Sequence, residues 1–485
     1  MMETTEIRKR KITIIKKPGS LGDRVLGFVR SEAGQLAILL LVTVFALALR
    51  LFRLGQWSFW GDELITVRKV QDLSGILNLL NFKLTNYLIA AALNTFGVSE
   101  WSARLVPALI GVLTVPALYF PTRRLFGPFA ALLASLFLSI STWHIYWSQN
   151  ARFYTALLLF YTLALFAFYF GIEKDRPVYL VLFLFLLGLA VLERMFALLL
   201  VPIVIVYLAL LYLLPFEKPA GLRPRNLLIL IVPSLLGGMV VALPILADTS
   251  MWLQRFSWVN NNPVWLLSGV VYYIGLPVMA LGAAGGIFLL MRKDRAALLF
   301  SLAAALPLLA IVFLSLFQYT ANRYVFVSLT AWIILSALAV REFFSQTHGN
   351  ARVLAAGVLL ILLLEPLSED VLYYRYQNGN RDNWKAAFEL IKRYKQPGDL
   401  VALADSVHGE YYLHEPTMSI FKLDLNSLAE GNQRVWFIED INLGDKMPQK
   451  LHWIQAHARL VANFDVYVRA RNFKMRVYLY DPGEQ

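Results

Sequence analysis

Two acidic residues stand side by side in the stretch WSFWGDELITV, where a long apolar segment ends. Asp62 and Glu63 follow Trp57 and Trp60 and precede a helix-like run that starts at Leu64. A carboxylate in such a place can take a proton from a hydroxyl group, bind a cation, or cap a helix whose N-terminus attracts negative charge. The sequence leaves these three roles open.

Basic and other polar side chains recur in short stretches that we expect on the same side of a membrane as this acidic pair. A lysine and several isolated arginines suit an anionic substrate carried by a lipid, because arginine binds phosphate oxygens bidentately and lysine acts as a point charge. The stretches contain Lys83; His144, Gln149, Asn150, Arg152 and Tyr154; Glu193 and Arg194; and Gln318, Asn322, Arg323 and Tyr324.

Each of these residues also has a purely structural interpretation. Arg152 and Arg323 could be interfacial anchors whose charged ends reach water. His144 lies among tryptophans, where a hydrogen-bonded histidine is commoner than a metal ligand, and Glu193 could pair locally with Arg194. The tryptophans could form an interfacial belt or stack on sugars. The sequence contains no glycine-rich nucleotide loop and no HExxH motif, which favours a donor carried in the membrane over a soluble one.

The elements that must position these residues are predicted to be membrane helices. The 485 residues are 58% hydrophobic and 16% charged, whereas soluble proteins average about 25% charged residues. Apolar segments of about 18 residues or more can cross the hydrocarbon core as helices. We predict a polytopic α-helical membrane protein with about 11 to 13 transmembrane helices, the principal segments lying near 34–53, 103–121, 128–146, 153–171, 177–192, 196–214, 226–247, 264–290, 296–317, 324–340 and 352–367.

The charge distribution predicts how these helices are oriented. A net charge of +13 would suggest nucleic acid for a soluble protein, but membrane proteins collect basic residues in cytoplasmic loops, so we predict no nucleic-acid partner. Residues 1–33 are basic and lack a cleavable signal pattern, which predicts a cytoplasmic N-terminus and a retained anchor. Segment 84–98 is predicted as an amphipathic or re-entrant helix on the outer surface. The first outer loop, 54–102, is then long enough to suggest a functional role.

These predictions divide the chain into three parts. The basic N-terminus is followed by a transmembrane domain over 34–367 and by a soluble α/β domain over 368–485. In the soluble domain we predict a helix at 383–395, a strand after the following Pro-Gly-Asp turn, and further strands at 434–440, 460–470 and 473–481. The domain is expected on the extracytoplasmic side, as a lid, an acceptor platform or a stabilising element.

The acidic pair, the segment FGVSEWSARLVPALIGVLTVPALYFPTRRLFG (96–127) and the stretch SISTWHIYWSQNARFYTALLL together resemble the membrane glycosyltransferases of the GT-C fold. Within that class they are similar to the protein O-mannosyltransferases and the aminoarabinose transferases that act on lipid A. The resemblance implies an enzyme of the cell (inner or plasma) membrane, surrounded by lipid, whose donor is one sugar on a polyprenyl monophosphate. Its acceptor would be a hydroxyl group of a lipid, a protein or a glycan.

The resemblance also assigns roles to residues. Asp62 matches the family's first-loop aspartate, which serves as catalytic base or acceptor-site carboxylate, with Glu63 as its companion. Lys83 and Arg152, joined by Arg323, would bind the donor phosphate. The remaining candidates for substrate binding are His144, Gln149, Asn150, Tyr154, Arg194 and Tyr324.

Two departures from the family pattern are present. The stretch LTNYL at 84–88 replaces the family's Pro-Pro-Leu-Tyr-Tyr, and Asn150 replaces a glutamate. The loss of that carboxylate leaves a divalent metal ion undecided, with Asp62 as its ligand if one is bound.

The expected reaction is an inverting transfer in which Asp62 deprotonates the acceptor and basic residues stabilise the leaving phosphate. One alternative is a transporter or flippase for a lipid-linked sugar, although its polar groups would be expected near the bilayer midplane. Others are an oligosaccharide ligase with a diphosphate-linked donor and an inert scaffold.

Overall fold

A computed structural model describes residues 27–72, 83–247, 262–347, 351–404, 406–468 and 471–484. The first part is a bundle of apolar helices, and the second is an α/β domain that follows the last of them. The helices of the bundle are α1 (Glu32–Leu51), α2 (Gly61–Gln71), α3 (Leu84–Phe96), α4 (Glu100–Phe126), α5 (Pro128–Ser139), α6 (Thr142–Ser148), α7 (Tyr154–Glu173), α8 (Pro177–Glu193), α9 (Leu200–Leu213), α10 (Pro224–Ala247), α11 (Pro263–Ile274), α12 (Leu276–Met291), α13 (Arg295–Leu314), α14 (Leu329–Gln346) and α15 (Ala351–Arg375).

The protein is a multi-pass membrane protein. Within the described residues, six helical segments are long and apolar enough to cross a bilayer, and two sharply bent helix pairs raise the number to eight. Helix α7 lies at the centre, with 89% of its most apolar window buried, so its apolar residues pack against other helices rather than lipid. Every predicted span overlaps at least one of these helices, but α8 is shorter than the six segments, and the predicted span 128–146 is divided between α5 and α6, which meet at an angle of 60°.

The predicted span 264–290 is not one straight helix. Helices α11 and α12 meet at an angle of 92°, and Gly275 between them has φ +96°, a left-handed conformation that glycine adopts without a steric penalty. Pro277 then occupies the first turn of α12, where a proline is tolerated because its missing N–H needs no partner there. The apolar pattern continues through the bend, which is why the sequence predicted a single span.

The soluble domain contains a five-stranded mixed sheet with strand order β2-β1-β3-β7-β4 and a separate hairpin of β5 and β6. Strand β1 pairs in parallel with β2 and β3, whereas β7 runs antiparallel to β3 and β4. The elements are α16 (Trp384–Tyr394), β1 (Leu400–Leu403), α17 (Ser406–Leu413), β2 (Met418–Ser419), α18 (Leu425–Glu430), β3 (Val435–Glu439), α19 (Ile441–Lys446), α20 (Pro448–His457), β4 (Arg459–Asn463), β5 (Val466–Val468), β6 (Arg471–Phe473) and β7 (Arg476–Tyr480).

The structure confirms the predicted helix at 383–395 as α16, but the predicted strand 460–470 is wrong as a single element. Strand β4 ends at Asn463, and β5 then leaves the main sheet to pair with β6. The break occurs at Asp465, whose carboxylate accepts a hydrogen bond from the Met475 N–H at 2.9 Å. Helix α15 also continues past residue 367, the predicted end of the transmembrane part, to Arg375.

Candidate active site

A cavity of about 540 Å³ lies between the helix bundle and the soluble domain. Aromatic rings line much of it, and its charged lining residues are two aspartates and two arginines. It contains Asp62 and Arg323 from the predicted site. The lining consists of Trp60, Asp62, Trp143, Tyr146, Trp147, Trp265, Ser268, Gly269, Tyr272, Tyr273, Tyr319, Thr320, Ala321, Asn322, Arg323, Asn380, Arg381, Asp382, Val468 and Phe473.

Asp62 occupies the first turn of α2 and keeps its carboxylate accessible, with 30% of the side chain exposed. Arg152 fixes this turn: its Nη1 donates to the Asp62 carbonyl at 2.8 Å and to Thr66 Oγ1 at 2.9 Å. Its Nη2 lies 3.5 Å from Asp62 Oδ2. The carboxylate is therefore oriented by a cation while it still faces the cavity.

Asp62 is not the residue that caps α2. The Trp60 N–H, at the N-terminus of the helix, donates to Glu63 Oε2 at 3.0 Å. Glu63 thus satisfies a backbone donor that a helix leaves without an intrahelical partner. Helix capping was one of the roles considered for the acidic pair, and Glu63 is the residue that performs it. The Asp62 carboxylate therefore remains available for chemistry.

Three cations surround the ring of Phe153, and we call Lys83, Arg152 and Arg194 the cation cluster. Lys83 Nζ lies 4.6 Å, Arg152 Cζ 5.2 Å and Arg194 Cζ 5.7 Å from the ring centroid. Because Arg152 also contacts Asp62, the cluster lies directly beside the candidate catalytic carboxylate. Like charges at this separation repel one another, and a bound anion would relieve that repulsion.

The surroundings of Lys83 change the pKa of its side chain. Burial lowers the pKa of its ammonium group, neighbouring Arg194 and Arg152 lower it further, and Glu193 opposes them, so that the pKa is about 8. The Nζ atom donates to the Glu193 carbonyl at 2.7 Å. Glu193 itself accepts from the Thr85 N–H at 3.0 Å, which ties the start of α3 to the end of α8 and holds Lys83 in the cluster.

Glu63 lies at the centre of a buried ion-pair network. Arg104 donates to both of its oxygens, from Nε to Oε1 and from Nη2 to Oε2, each at 2.8 Å. The Ala151 N–H donates to Oε1 at 2.7 Å, and Arg381 Nε lies 3.5 Å from Oε2. Burial alone would raise the pKa of Glu63, but Arg104, Arg381 and the hydrogen bonds outweigh it and lower the pKa to about 2.

This network corrects the prediction that Glu63 is a second catalytic residue. Its side chain is fully buried, does not line the cavity, and is occupied by donors on both oxygens. It fixes the loop that carries Asp62 instead, because Arg104 also donates to the carbonyls of Trp57 and Ser58 at 3.0 and 2.8 Å.

The sequence reasoning missed Arg104 and Arg381. Arg104 is a lone charge near the start of a long apolar helix, a pattern that marks a buried partner or a site. Arg381 donates from Nη2 to the Gln149 carbonyl at 2.6 Å and from Nη1 to the Gly379 carbonyl at 2.7 Å. It therefore joins the linker after α15 to the loop that precedes Arg152.

Four predicted substrate-binding residues are buried and lie outside the cavity lining, so the structure does not bring them to the cavity. His144 is fully buried, with Nδ1 2.7 Å from Arg50 Nη2. Gln149 Nε2 donates to the carbonyls of Arg50 and Phe52 at 3.0 and 2.8 Å, and so caps the end of α1. Asn150 and Tyr154 are also buried.

Of the three remaining predicted residues, Arg323 lines the cavity, whereas Arg194 and Tyr324 do not. The Arg323 guanidinium lies 5.5 Å from the centroid of the Trp60 ring and 5.6 Å from that of Tyr324. Tyr324 contacts Phe196 at a centroid distance of 4.0 Å, and Phe196 in turn lies under Arg194. An aromatic path thus connects Arg323, within the cavity, to the cation cluster.

The residues around Asp62 do not fit a divalent metal ion well. Its charged neighbour is Arg152 rather than a further carboxylate. In the part of the chain that the structure describes, no group of three or more histidine, aspartate or glutamate side chains could hold a metal ion. Asn150, which replaces the family's glutamate, is buried outside the cavity lining.

Residues 83–252 match a family model described as dolichyl-phosphate-mannose-protein mannosyltransferase. No protein of curated function matches the sequence significantly.

Solved structures show the same fold at low sequence identity. ArnT from Cupriavidus metallidurans in the apo state has a TM-score of 0.57 and 16% identity, over 92% of this chain and 98% of that chain. ArnT bound to undecaprenyl phosphate gives a TM-score of 0.56 at 16% identity, over 93% and 98%. The Archaeoglobus fulgidus oligosaccharyltransferase in the apo form gives a TM-score of 0.56 at 14% identity, over 85% and 70%. Together with the family match, these likenesses confirm the resemblance predicted from the sequence.

Proposed function

We propose that this chain, which shares the GT-C fold of the solved structures, is a membrane glycosyltransferase that moves one sugar from a polyprenyl-monophosphate donor to a hydroxyl acceptor, with Asp62 as the general base. The observation that carries this proposal is the contact between Asp62 and the cation cluster through Arg152. A base for the acceptor and a binding site for an anionic leaving group are thereby adjacent. A lipid-phosphate donor is further supported by the likeness to ArnT bound to undecaprenyl phosphate.

The acceptor oxygen attacks the anomeric carbon and loses its proton to Asp62, while the bond from that carbon to the phosphate oxygen breaks with its electron pair. The lipid phosphate gains one negative charge, which the cation cluster and Arg323 would stabilise as it develops. Because the leaving group is already a stable phosphate, the step needs no strong general acid. A single displacement inverts the anomeric configuration.

The proposed site faces the extracytoplasmic side of the cell membrane. Basic side chains gather at the ends of α1, α4, α12 and α14: Arg123 donates to Glu32 at 3.1 Å, Arg292 to Glu342 at 3.0 Å, and Arg341 to the Phe126 carbonyl at 2.8 Å. Such a concentration of arginines is typical of cytoplasmic loops. The soluble domain and the cavity would then lie on the other side.

A donor panel tests the proposal. Purified protein in detergent would receive labelled sugars on polyprenyl monophosphate or on polyprenyl diphosphate, with solubilised membrane extract as acceptor. Transfer from monophosphate donors, unchanged by EDTA, is the expected result. Transfer only from diphosphate donors would identify an oligosaccharide ligase, and a loss of transfer with EDTA would show that a metal ion takes part. Binding without transfer would contradict the proposal.

The pH dependence of donor binding should report on Lys83. Its ammonium is charged below a pKa of about 8 and loses its proton as the pH rises, so the donor KM should rise above that pH. Losing one charged contact corresponds to about tenfold or more in affinity. In Lys83→Arg the cation stays charged, and the donor KM should be flat between pH about 7 and about 9.5. An equal rise of KM in both proteins would contradict the role of Lys83.

A further inference from the structure

The hairpin of β5 and β6 brings part of the soluble domain into the cavity wall. Val468 and Phe473 line the cavity beside residues of the helix bundle. Successive side chains of a strand point to opposite faces, and β5 follows this rule: Val466 and Val468 are each 6% exposed, whereas Tyr467 between them is 63% exposed. The hairpin therefore presents one apolar face inwards, and Val466 pairs with Phe473 across it.

The base of the hairpin is held by one buried carboxylate. Asp465 Oδ1 accepts from the Met475 N–H at 2.9 Å, and its Oδ2 lies 3.0 Å from Arg476 Nη2. Arg476 Nη1 in turn lies 3.5 Å from Glu439 Oε1, at the end of β3 in the main sheet. The direction of the hairpin is thereby set by the sheet, so that its apolar wall has a defined position.

The soluble domain is also fixed against the loop that carries Asp62. Glu100 Oε1 lies 3.0 Å from Lys385 Nζ and accepts from Tyr412 Oη at 2.9 Å. Tyr412 Oη accepts from the Phe59 N–H at 2.7 Å, and the Lys385 N–H donates to Ser58 Oγ at 2.9 Å. Ser58 and Phe59 lie just before α2. These contacts fix the soluble domain, which carries the hairpin, relative to the turn that carries Asp62.

The cation cluster and the cavity differ in what they could bind. A lipid-borne phosphate must approach from the bilayer, and the cation cluster, which belongs to the helix bundle, is not among the residues that line the cavity. The cavity wall at the hairpin combines the apolar side chains of Val468 and Phe473 with Asp382 from the linker. We propose that this wall positions the acceptor, which presents an apolar face to Val468 and Phe473 while its hydroxyl group points to Asp62. Acceptor specificity is then determined by the soluble domain, an inference that rests on the proposed function.

The test compares Phe473→Ala with Tyr467→Ala, which shortens the outward-facing ring of the same hairpin. Transfer would be measured from a labelled polyprenyl-monophosphate donor while solubilised membrane extract, as the acceptor, is titrated. Phe473→Ala should raise the half-saturating extract concentration about tenfold, as expected for the loss of an aromatic side chain that the acceptor would cover. Its donor KM should stay at the wild-type value, Phe473→Leu should recover most of the acceptor affinity, and Tyr467→Ala should match wild type in both measurements.

The outcomes separate this inference from the proposed function. Wild-type transfer with the same acceptor titration in Phe473→Ala would overturn the acceptor wall and leave the donor chemistry intact. A parallel loss of donor and acceptor affinity, together with a lower unfolding temperature, would assign Phe473 a structural role and overturn the wall as well. Absence of transfer by the wild-type protein would contradict the proposed function and, with it, the acceptor wall.

Discussion

Replacing Asp62 with asparagine should reduce sugar transfer about a hundredfold or more while leaving donor binding intact. Loss of a general base typically costs about 10²–10⁴ in rate. Asparagine preserves the shape of the side chain, and the bond from Arg152 to the carbonyl of residue 62 does not depend on the carboxylate. The measurement is the initial rate of transfer from a polyprenyl-monophosphate donor.

Donor binding by the Asp62→Asn variant would be followed as the rise in unfolding temperature that undecaprenyl phosphate causes. A matched control is Glu410→Gln, which removes a carboxylate from the nearby, exposed pair with Arg68 and should leave the rate unchanged. Equal transfer by wild type and Asp62→Asn would contradict the role of Asp62 as the base. Asp382, which lines the same cavity, would then be the next candidate.

Replacing Glu63 with glutamine should destabilise the protein by about 3–5 kcal/mol, the usual cost of removing one partner from a buried ion pair. Arg104 would remain fully buried without its counter-charge, and Arg381 would lose the carboxylate near its Nε. The free energy of unfolding would be measured in mixed micelles with increasing denaturant. Since the pair also fixes the turn that carries Asp62, transfer should fall with stability.

The matched control for Glu63 is again Glu410→Gln. The side chains of Arg68 and Glu410 are 57% and 48% exposed, and exposed pairs contribute about 0–1 kcal/mol. A loss of less than about 1 kcal/mol in Glu63→Gln would show that water reaches the network and would contradict its structural role.

The sequence was sufficient to predict the acidic turn but not to show which of its two side chains lines the cavity and which is buried. Asp62 and Glu63 are neighbours on a helix, and neighbouring side chains do not share a face. One therefore lines the cavity while the other points into the protein. Which residue takes which direction depends on Arg104 and Arg381, and such long-range pairings cannot be derived from a single sequence. The cation cluster was predicted in part, since Lys83 and Arg152 were singled out as phosphate ligands.

The fold was predictable where it depends on apolar run length and less so where it depends on local backbone geometry. The membrane segments were located because their hydrophobicity is continuous. The bend between α11 and α12 occurs at Gly275 within such a run, where hydrophobicity gives no signal. The hairpin of β5 and β6 was read as part of longer strands, because the alternation of side chains does not change at Asp465.

The pairing of Glu63 with Arg381 also sets an order of events during synthesis. Glu63 emerges from the ribosome early, soon after the first membrane helix, and Arg104 follows within the next one. Arg381 is made only after the last helix of the bundle, and it then joins both Glu63 and the carbonyl of Gln149. The turn that carries Asp62 thus acquires its contact with Arg381 only after the bundle has been made, and a chain released earlier carries the chemical groups of the candidate site without this arginine.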